Sequence, residues 1–308
     1  MREKKKGHNM NKKLKSDLML LLTALIWGSA FIAQSKGADL LGPFTFNAFR
    51  YALAVVALLP VIYILGKKNP APKADKNQKS TLIKGGLATG LALFISASLQ
   101  QYAMAFTTAA KAGFITTLYV ILVPVVGIFL KKKVRPLIWR CAFLGVVGLY
   151  LLSIKPGTFS ISRGDFFVLL CAFGFTAHIL IIDHFSPKTD GVKLSCLQFA
   201  IVSIASFIAM IFTEKLVMAD VLAAVIPLLY AGVLSSAVAY TLQIVAQKDA
   251  DPTVASLILS LESVFAAICG AIILGETLTG REIAGCVIMF VAIILAQLPS
   301  KEERLPNK

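Results

Sequence analysis

Glu262 and Arg50 are ionisable side chains set inside apolar runs, and their chemistry decides what the chain could do. An ionisable group at mid-membrane costs about 2.5–3.5 kcal/mol on insertion scales, so it is kept where it faces a cavity or a partner. Glu262 shares a helical face with Ala255, Ala266 and Cys269. As a cavity carboxylate it would bind a cation, a substrate amine or a coupled proton; as a structural group it would be a protonated acid in helix packing. Arg50 either snorkels to the outer interface or gives a fixed positive charge to an anionic substrate group or to Glu262.

Two stripes accompany these charges. Trp27 falls on one helical face with Thr23, Ala30 and Gln34, and Ser236, Tyr240, Gln243 and Gln247 form a second face. Such polar and aromatic stripes suit a cavity wall or helix packing, and rings in a cavity add cation–π attraction of about 0.5–2 kcal/mol. Tyr119 and His178 complete the candidate substrate-cavity set of Trp27, Gln34, Arg50, Tyr119, His178, Ser236, Tyr240, Gln243 and Glu262. His178 is read first as an interhelical hydrogen-bond partner and second as a proton relay. Gln100, Gln101 and Lys111 are expected as anchors near the outer interface, with Gln247 at the cytoplasmic rim.

Other constellations fall away. Asp183, His184 and Asp190 read as a solvated loop rather than a metal site, and the five cysteines show no CxxC spacing. The sequence holds no HExxH, no GxSxG and no glycine-rich phosphate loop. No enzyme, cofactor or metal is expected, and transport would be secondary, down a gradient or coupled to a proton or other ion.

The elements that hold these residues follow from composition. Of 308 residues 57% are hydrophobic and 15% charged, against roughly 25% charged in soluble domains, and mean hydropathy is +0.78. The solvent for most of the chain is therefore lipid, where a span takes roughly 20 apolar residues. Ten such runs are expected, at 17–35, 43–65, 81–101, 108–130, 136–154, 164–183, 193–213, 220–243, 252–274 and 280–298. Turn chemistry separates them: Gly42-Pro43, the polar stretch Gly66 to Ser80, Lys131 to Pro136, Lys155-Pro156-Gly157, Ser186 to Gly191 and Asp251-Pro252. Pro124 and Pro227 lie inside runs and should kink them. Gly86 and Gly90 make a GxxxG suited to close helix packing.

The net charge of +15 sits in clusters between apolar runs, which points to membrane orientation and away from nucleic acid. With the N-terminal tail inside, 24 Lys and Arg lie in inside connections and six outside, so both termini are expected in the cytoplasm. No cleavage site follows the first apolar run, which reads as a retained span. The two sets of five runs look alike over Ile115–Leu152 and Ser256–Leu295, through Gly145 and Gly148 in one and Gly285 in the other. Five is odd, so related halves would be inverted, as in transporters whose site lies at the midplane between repeats.

Particular motifs resemble the EamA family of the drug/metabolite transporter superfamily. They are Trp27-Gly28-Ser29-Ala30-Phe31, Phe49-Arg50-Tyr51, Ala109 to Phe114 leading to Val123-Pro124, and Leu259 to Ala267 followed by Leu274 to Thr279. Ser263 stands where that family often has proline, and Lys131-Lys132-Lys133 replaces an acidic turn. The resemblance implies ten helices in two inverted five-helix repeats around a central cavity, and transport of small metabolites, often as export.

The expected fold is thus all-α and integral to the membrane: a basic cytoplasmic tail at 1–16, repeats at 17–154 and 161–298, and a second tail at 299–308. The expected function is a secondary transporter of small polar metabolites in a bacterial-type plasma membrane, with an amino-acid-like compound or drug as export substrate. Its partners would be that solute, the lipid bilayer and a coupled proton or other ion. Sugar-phosphate or nucleotide-sugar exchange is the runner-up, but it calls for several intramembrane cations, and Arg50 is the one deep cation in the sequence. A lipid-processing enzyme would need paired acidic groups at one interface, and a channel would need rings of like charge.

Overall fold

In hydrocarbon a backbone must satisfy its own donors and acceptors, which long apolar runs achieve as helices. The computed structural model describes residues 2–68, 76–107, 109–132, 134–153, 162–274 and 279–296, and every regular element among them is helical. The sequence features at 69–75, Lys133, Lys155-Pro156-Gly157, Gly275 to Leu278 and the second tail lie outside the described residues.

The helices are α1 (Arg2–Ala38), α2 (Pro43–Lys68), α3 (Lys76–Ala103), α4 (Ala109–Thr116), α5 (Tyr119–Phe129), α6 (Pro136–Ser153) and α7 (Arg163–Phe185). There follow α8 (Gly191–Thr213), α9 (Met218–Ala223), α10 (Val225–Leu229), a π-helical segment (Tyr230–Tyr240), α11 (Thr241–Gln247), α12 (Pro252–Leu259), α13 (Glu262–Leu274) and α14 (Gly280–Ala296). Helix α1 continues back through the basic tail to Arg2. Among the described residues, eight helical runs are long and apolar enough to cross a membrane. The fifth and tenth expected runs are also helices, of 18 and 17 residues.

Local chemistry sets the starts. Pro43, Pro136 and Pro252 each open a helix, where the missing donor is harmless. Asp251 accepts from Thr253 and Val254 N–H at 2.9 and 3.3 Å. Ser162 and Asp165 form a capping box on α7. The α2 start is capped from a distance: Glu214, just past α8, accepts from the Phe44 and Thr45 N–H groups at 2.9 and 2.8 Å. At the end of α5, Lys131 takes φ 59°, and Lys132 N–H reaches Gly127 O at 2.9 Å, a Schellman closure. The Lys132 side chain pairs with Asp183, while Asp190 caps α8, so these two acids serve structure.

Packing relates the two halves. Helix α2 lies on α8, and α6 on α14. Helix α3 packs on α7 and α8 much as the π segment packs on α1 and α2, and α1 meets α13 as α7 meets α4 and α5. The α6–α14 crossing is reciprocal: a Cβ on Gly148 would sit 2.8 Å from Gly285 O, and one on Gly285 2.6 Å from Gly148 O. Bulky apolar side chains point outward, Phe129 at 81% and Phe212 at 82% exposure, while Asn47 and Gln198 are at 0%. Exposed bulky apolar side chains beside buried amides set it apart from a soluble domain.

Candidate substrate cavity

The fourth run of each half is interrupted, and the interruptions face one another. Thr117 Oγ1 donates back to Phe114 O at 2.9 Å, and the Leu118 N–H shifts to Ile115 O, three residues back. In the other half Ser260 Oγ donates to Leu257 O at 2.7 Å, and the Leu261 N–H shifts to Ile258 O. Side-chain hydroxyls that compete for helical carbonyls bend helices in this way. The residues after the breaks are Tyr119 and Glu262, the first residues of α5 and α13, and the Tyr119 hydroxyl donates to Glu262 Oε1 at 3.1 Å. Helix α1 approaches this junction through Gly28, where a Cβ would lie 2.5 Å from Glu262 O. Any side chain there would push the two helices apart.

Arg50, on α2, is 3% exposed. It donates to Ser236 Oγ at 3.3 Å, Gln34 Oε1 at 3.4 Å and Ser235 Oγ at 3.4 Å, and lies 4.8 Å from the Tyr51 ring centre. Both serines belong to the π segment, a rare conformation often found at functional positions. Trp27 Nε1 donates to Ser235 O at 3.1 Å, and Thr23 Oγ1 to Ala239 O at 3.1 Å. The Trp27 and Tyr240 rings lie 4.5 Å apart, tilted by 56°.

These groups enclose a cavity of about 30 Å³, room for about one or two waters. Six of the nine expected residues line it: Trp27, Gln34, Arg50, Tyr119, Tyr240 and Glu262. His178, Ser236 and Gln243 stand outside the lining. His178 Nε2 pairs with Gln198 Oε1 at 3.1 Å and its ring meets Tyr240 edge-on at 5.8 Å. Ser236 reaches the cavity only through Arg50, and Gln243 is 1% exposed within the packing. The π turn changes which residues share a face, so the spacing of an α-helix misplaces this stripe.

Phe31, Gln100, Thr116, Phe175 and Ser235 also line the cavity. Phe31 was legible as one turn beyond Trp27. Gln100 and Gln101 are not interface anchors but buried: Gln100 Nε2 donates to Thr116 Oγ1 at 3.2 Å and Gln101 Nε2 to Gln34 O at 3.1 Å. Gln247 is likewise buried, donating to Ile179 O at 3.2 Å. A larger cavity of about 280 Å³ lies between α1 and the starts of α6 and α12, lined by Lys13, Asp17, Arg135, Asp249 and Asp251 among others.

The EamA-like transporter family profile matches residues 14–154 and again 162–298. The chain belongs to the EamA-like transporter family. Similar chains include an uncharacterized transporter of Archaeoglobus fulgidus, 33% identical over 294 residues, covering 93% of this chain and 87% of that one. A chloroplastic WAT1-related protein of Arabidopsis thaliana is 26% identical, covering 91% of this chain and 69% of the other. A solved crystal structure shares the fold with a TM-score of 0.73 at 16% identity, covering 92% of this chain and 96% of that one. This EamA-like chain is therefore a multi-pass membrane transporter, not an enzyme, and carries the family unit twice. The EamA-like motif residues Trp27, Gly28, Phe31, Arg50 and Glu262 converge on the cavity or its nearest packing.

Proposed function

We propose that the chain is a secondary transporter of small polar metabolites, with amino-acid-like compounds as the leading class, working by alternating access and serving as an exporter. Residues 17–154 and 161–298 act as two inverted five-span repeats, α6 and α14 being the fifth and tenth spans. Both termini face the cytoplasm of a bacterial-type plasma membrane. The supporting observation is the placement of Arg50 and Glu262, one buried charge from each half, in a cavity lined also by Trp27 and Tyr240. Membrane carriers built from repeats place their sites on such a seam, beside interrupted helices. A cavity of about 30 Å³ is far below the 300–1,000 Å³ of an occupied ligand pocket, which fits a contracted state between two open ones.

Comparing intracellular and extracellular metabolites in cells overexpressing the chain, lacking it, or carrying Glu262→Gln tests the reading. A small polar compound should accumulate outside with the wild type and not with the variant. Metabolite profiles identical in all three would remove it. Reporter fusions after Lys308 and within residues 66–80 should both report the inside, and an external C-terminus would end the model of two five-span repeats.

A further inference from the structure

The cavity is lined by a guanidinium and a carboxyl group, Arg50 and Glu262, that do not bond to each other. A guanidinium carries five donors, and donor–acceptor distances of 2.7–3.2 Å are usual. Besides its ring contacts with Tyr51 and Phe46, Arg50 makes three hydrogen bonds, all to neutral oxygens and all at 3.3–3.4 Å. Among the described residues it has no carboxylate partner. A buried charge left so weakly compensated is unfavourable, and a carboxylate, which accepts two parallel N–H bonds from a guanidinium, would relieve it. The acceptors come from α1 and the π segment, so the guanidinium is already held in place at the cavity wall. Across the same cavity, Glu262 is 4% exposed, and its side chain accepts from the Tyr119 hydroxyl. The rings of Trp27, Phe31, Phe175 and Tyr240 supply the apolar part of the remaining wall.

We propose that this cavity receives a small organic zwitterion, its carboxylate on Arg50, its ammonium on Glu262 and its apolar part against the four rings. The proposal rests on the transporter reading above for the translocation step, but not for binding itself. Arg50 supplies a fixed positive charge and Glu262 a carboxyl group that can ionise against a cation, which together select for a solute that is neutral overall. A net anion would leave Glu262 without a counter-charge, and a net cation would leave Arg50 as it is. Ammonium groups also gain from facing Trp27 and Tyr240. The bound state must be wider than the present one, with the α1, α2 and π-segment wall drawn away from α5 and α13.

The test uses the full chain in lipid nanodiscs, with Trp139→Phe leaving Trp27 as the sole tryptophan and fluorescent reporter. The probes are L-leucine and 5-aminovalerate, zwitterions with short and long charge separation, together with L-leucinamide and 4-methylpentanoate, which each carry one of the charges. At least one zwitterion should bind at least tenfold more tightly than both singly charged probes. Arg50→Gln should abolish the advantage over leucinamide and Arg50→Lys should restore part of it, while Glu262→Gln should abolish the advantage over 4-methylpentanoate. Equal binding of a singly charged probe, or no zwitterion binding by protein that melts as the wild type does, overturns the proposal. Counterflow of the same probes in proteoliposomes is measured separately. Binding without counterflow leaves the zwitterion site intact and removes the transport reading; counterflow of another solute without zwitterion binding does the reverse.

Discussion

The two interrupted helices, α4–α5 and α12–α13, are the same device carrying different chemistry. Each is loosened by a hydroxyl returning to a carbonyl, Thr117 in one and Ser260 in the other, and each then passes successive N–H groups to carbonyls three residues back. The residue after the break is a phenol in the first half and a carboxylate in the second, and the two bond to each other. Pro124 lies within α5, whereas α13 contains no proline, so proline is not what makes the break. The halves share a scaffold and differ in what it carries: Arg50 comes from the first, Glu262 from the second.

Removing the difference should have the largest effect. Glu262→Gln keeps the volume and deletes the charge, and charge-assisted hydrogen bonds of about 1.5–3 kcal/mol correspond to about a 10- to 100-fold loss of transport rate at every pH tested. Expression and melting temperature should stay close to wild type; normal transport by the variant would make Glu262 structural. Next, Gly285→Val should destabilise the detergent-solubilised protein by about 1–3 kcal/mol, and Gly148→Val by a similar amount, because each Cβ would meet the other's carbonyl. A loss in only one of them would show that the crossing is not reciprocal.

Tyr119→Phe should slow transport by about two- to tenfold, the worth of one hydrogen bond at about 0.5–1.5 kcal/mol. Added to Glu262→Gln it should cost nothing further, since the two groups act as a pair. A fully additive double variant would separate them. The smallest effect is expected from Ser263→Pro, because Ser263 is the second residue of α13, a first helical turn accepts proline, and the N–H it would lose makes only a long bond of 3.3 Å to Ser260 O. Its stability should change by no more than about 0.5 kcal/mol, while a larger loss, shared by Ser263→Ala, would show that the Thr117–Ser263 contact at 3.4 Å holds the junction together.

Much of the scaffold was readable from apolar runs and turn residues: runs expected at 136–154 and 193–213 are helices Pro136–Ser153 and Gly191–Thr213. The family motifs marked Trp27, Arg50 and Glu262, and all three line one cavity. What hydropathy missed was local geometry. Thr117 and Ser260 look like any small polar residue in a span, yet their hydroxyls interrupt the helices. The kink expected from Pro124 lies instead at Thr117 and Leu118, while that from Pro227 does appear, α9 ending at Ala223, four residues before it. The π segment displaced the Ser236 and Gln243 stripe and brought Ser235 to the cavity. Gln100 and Gln101 escape a hydropathy reading because polar residues near a span's end suit headgroups, and only packing against α1 and α4 shows that they are buried.

Cysteine accessibility tests most directly whether the seam between the halves is the transport path. In a chain with its five native cysteines replaced, Trp27→Cys and Tyr240→Cys should react with small polar thiol reagents, and a transported solute should protect both. Leu22→Cys and Ile294→Cys, on outward faces at 45% and 64% exposure, should react little and without regard to solute. Labelling of all four at equal, solute-independent rates would contradict a path between Trp27 and Tyr240.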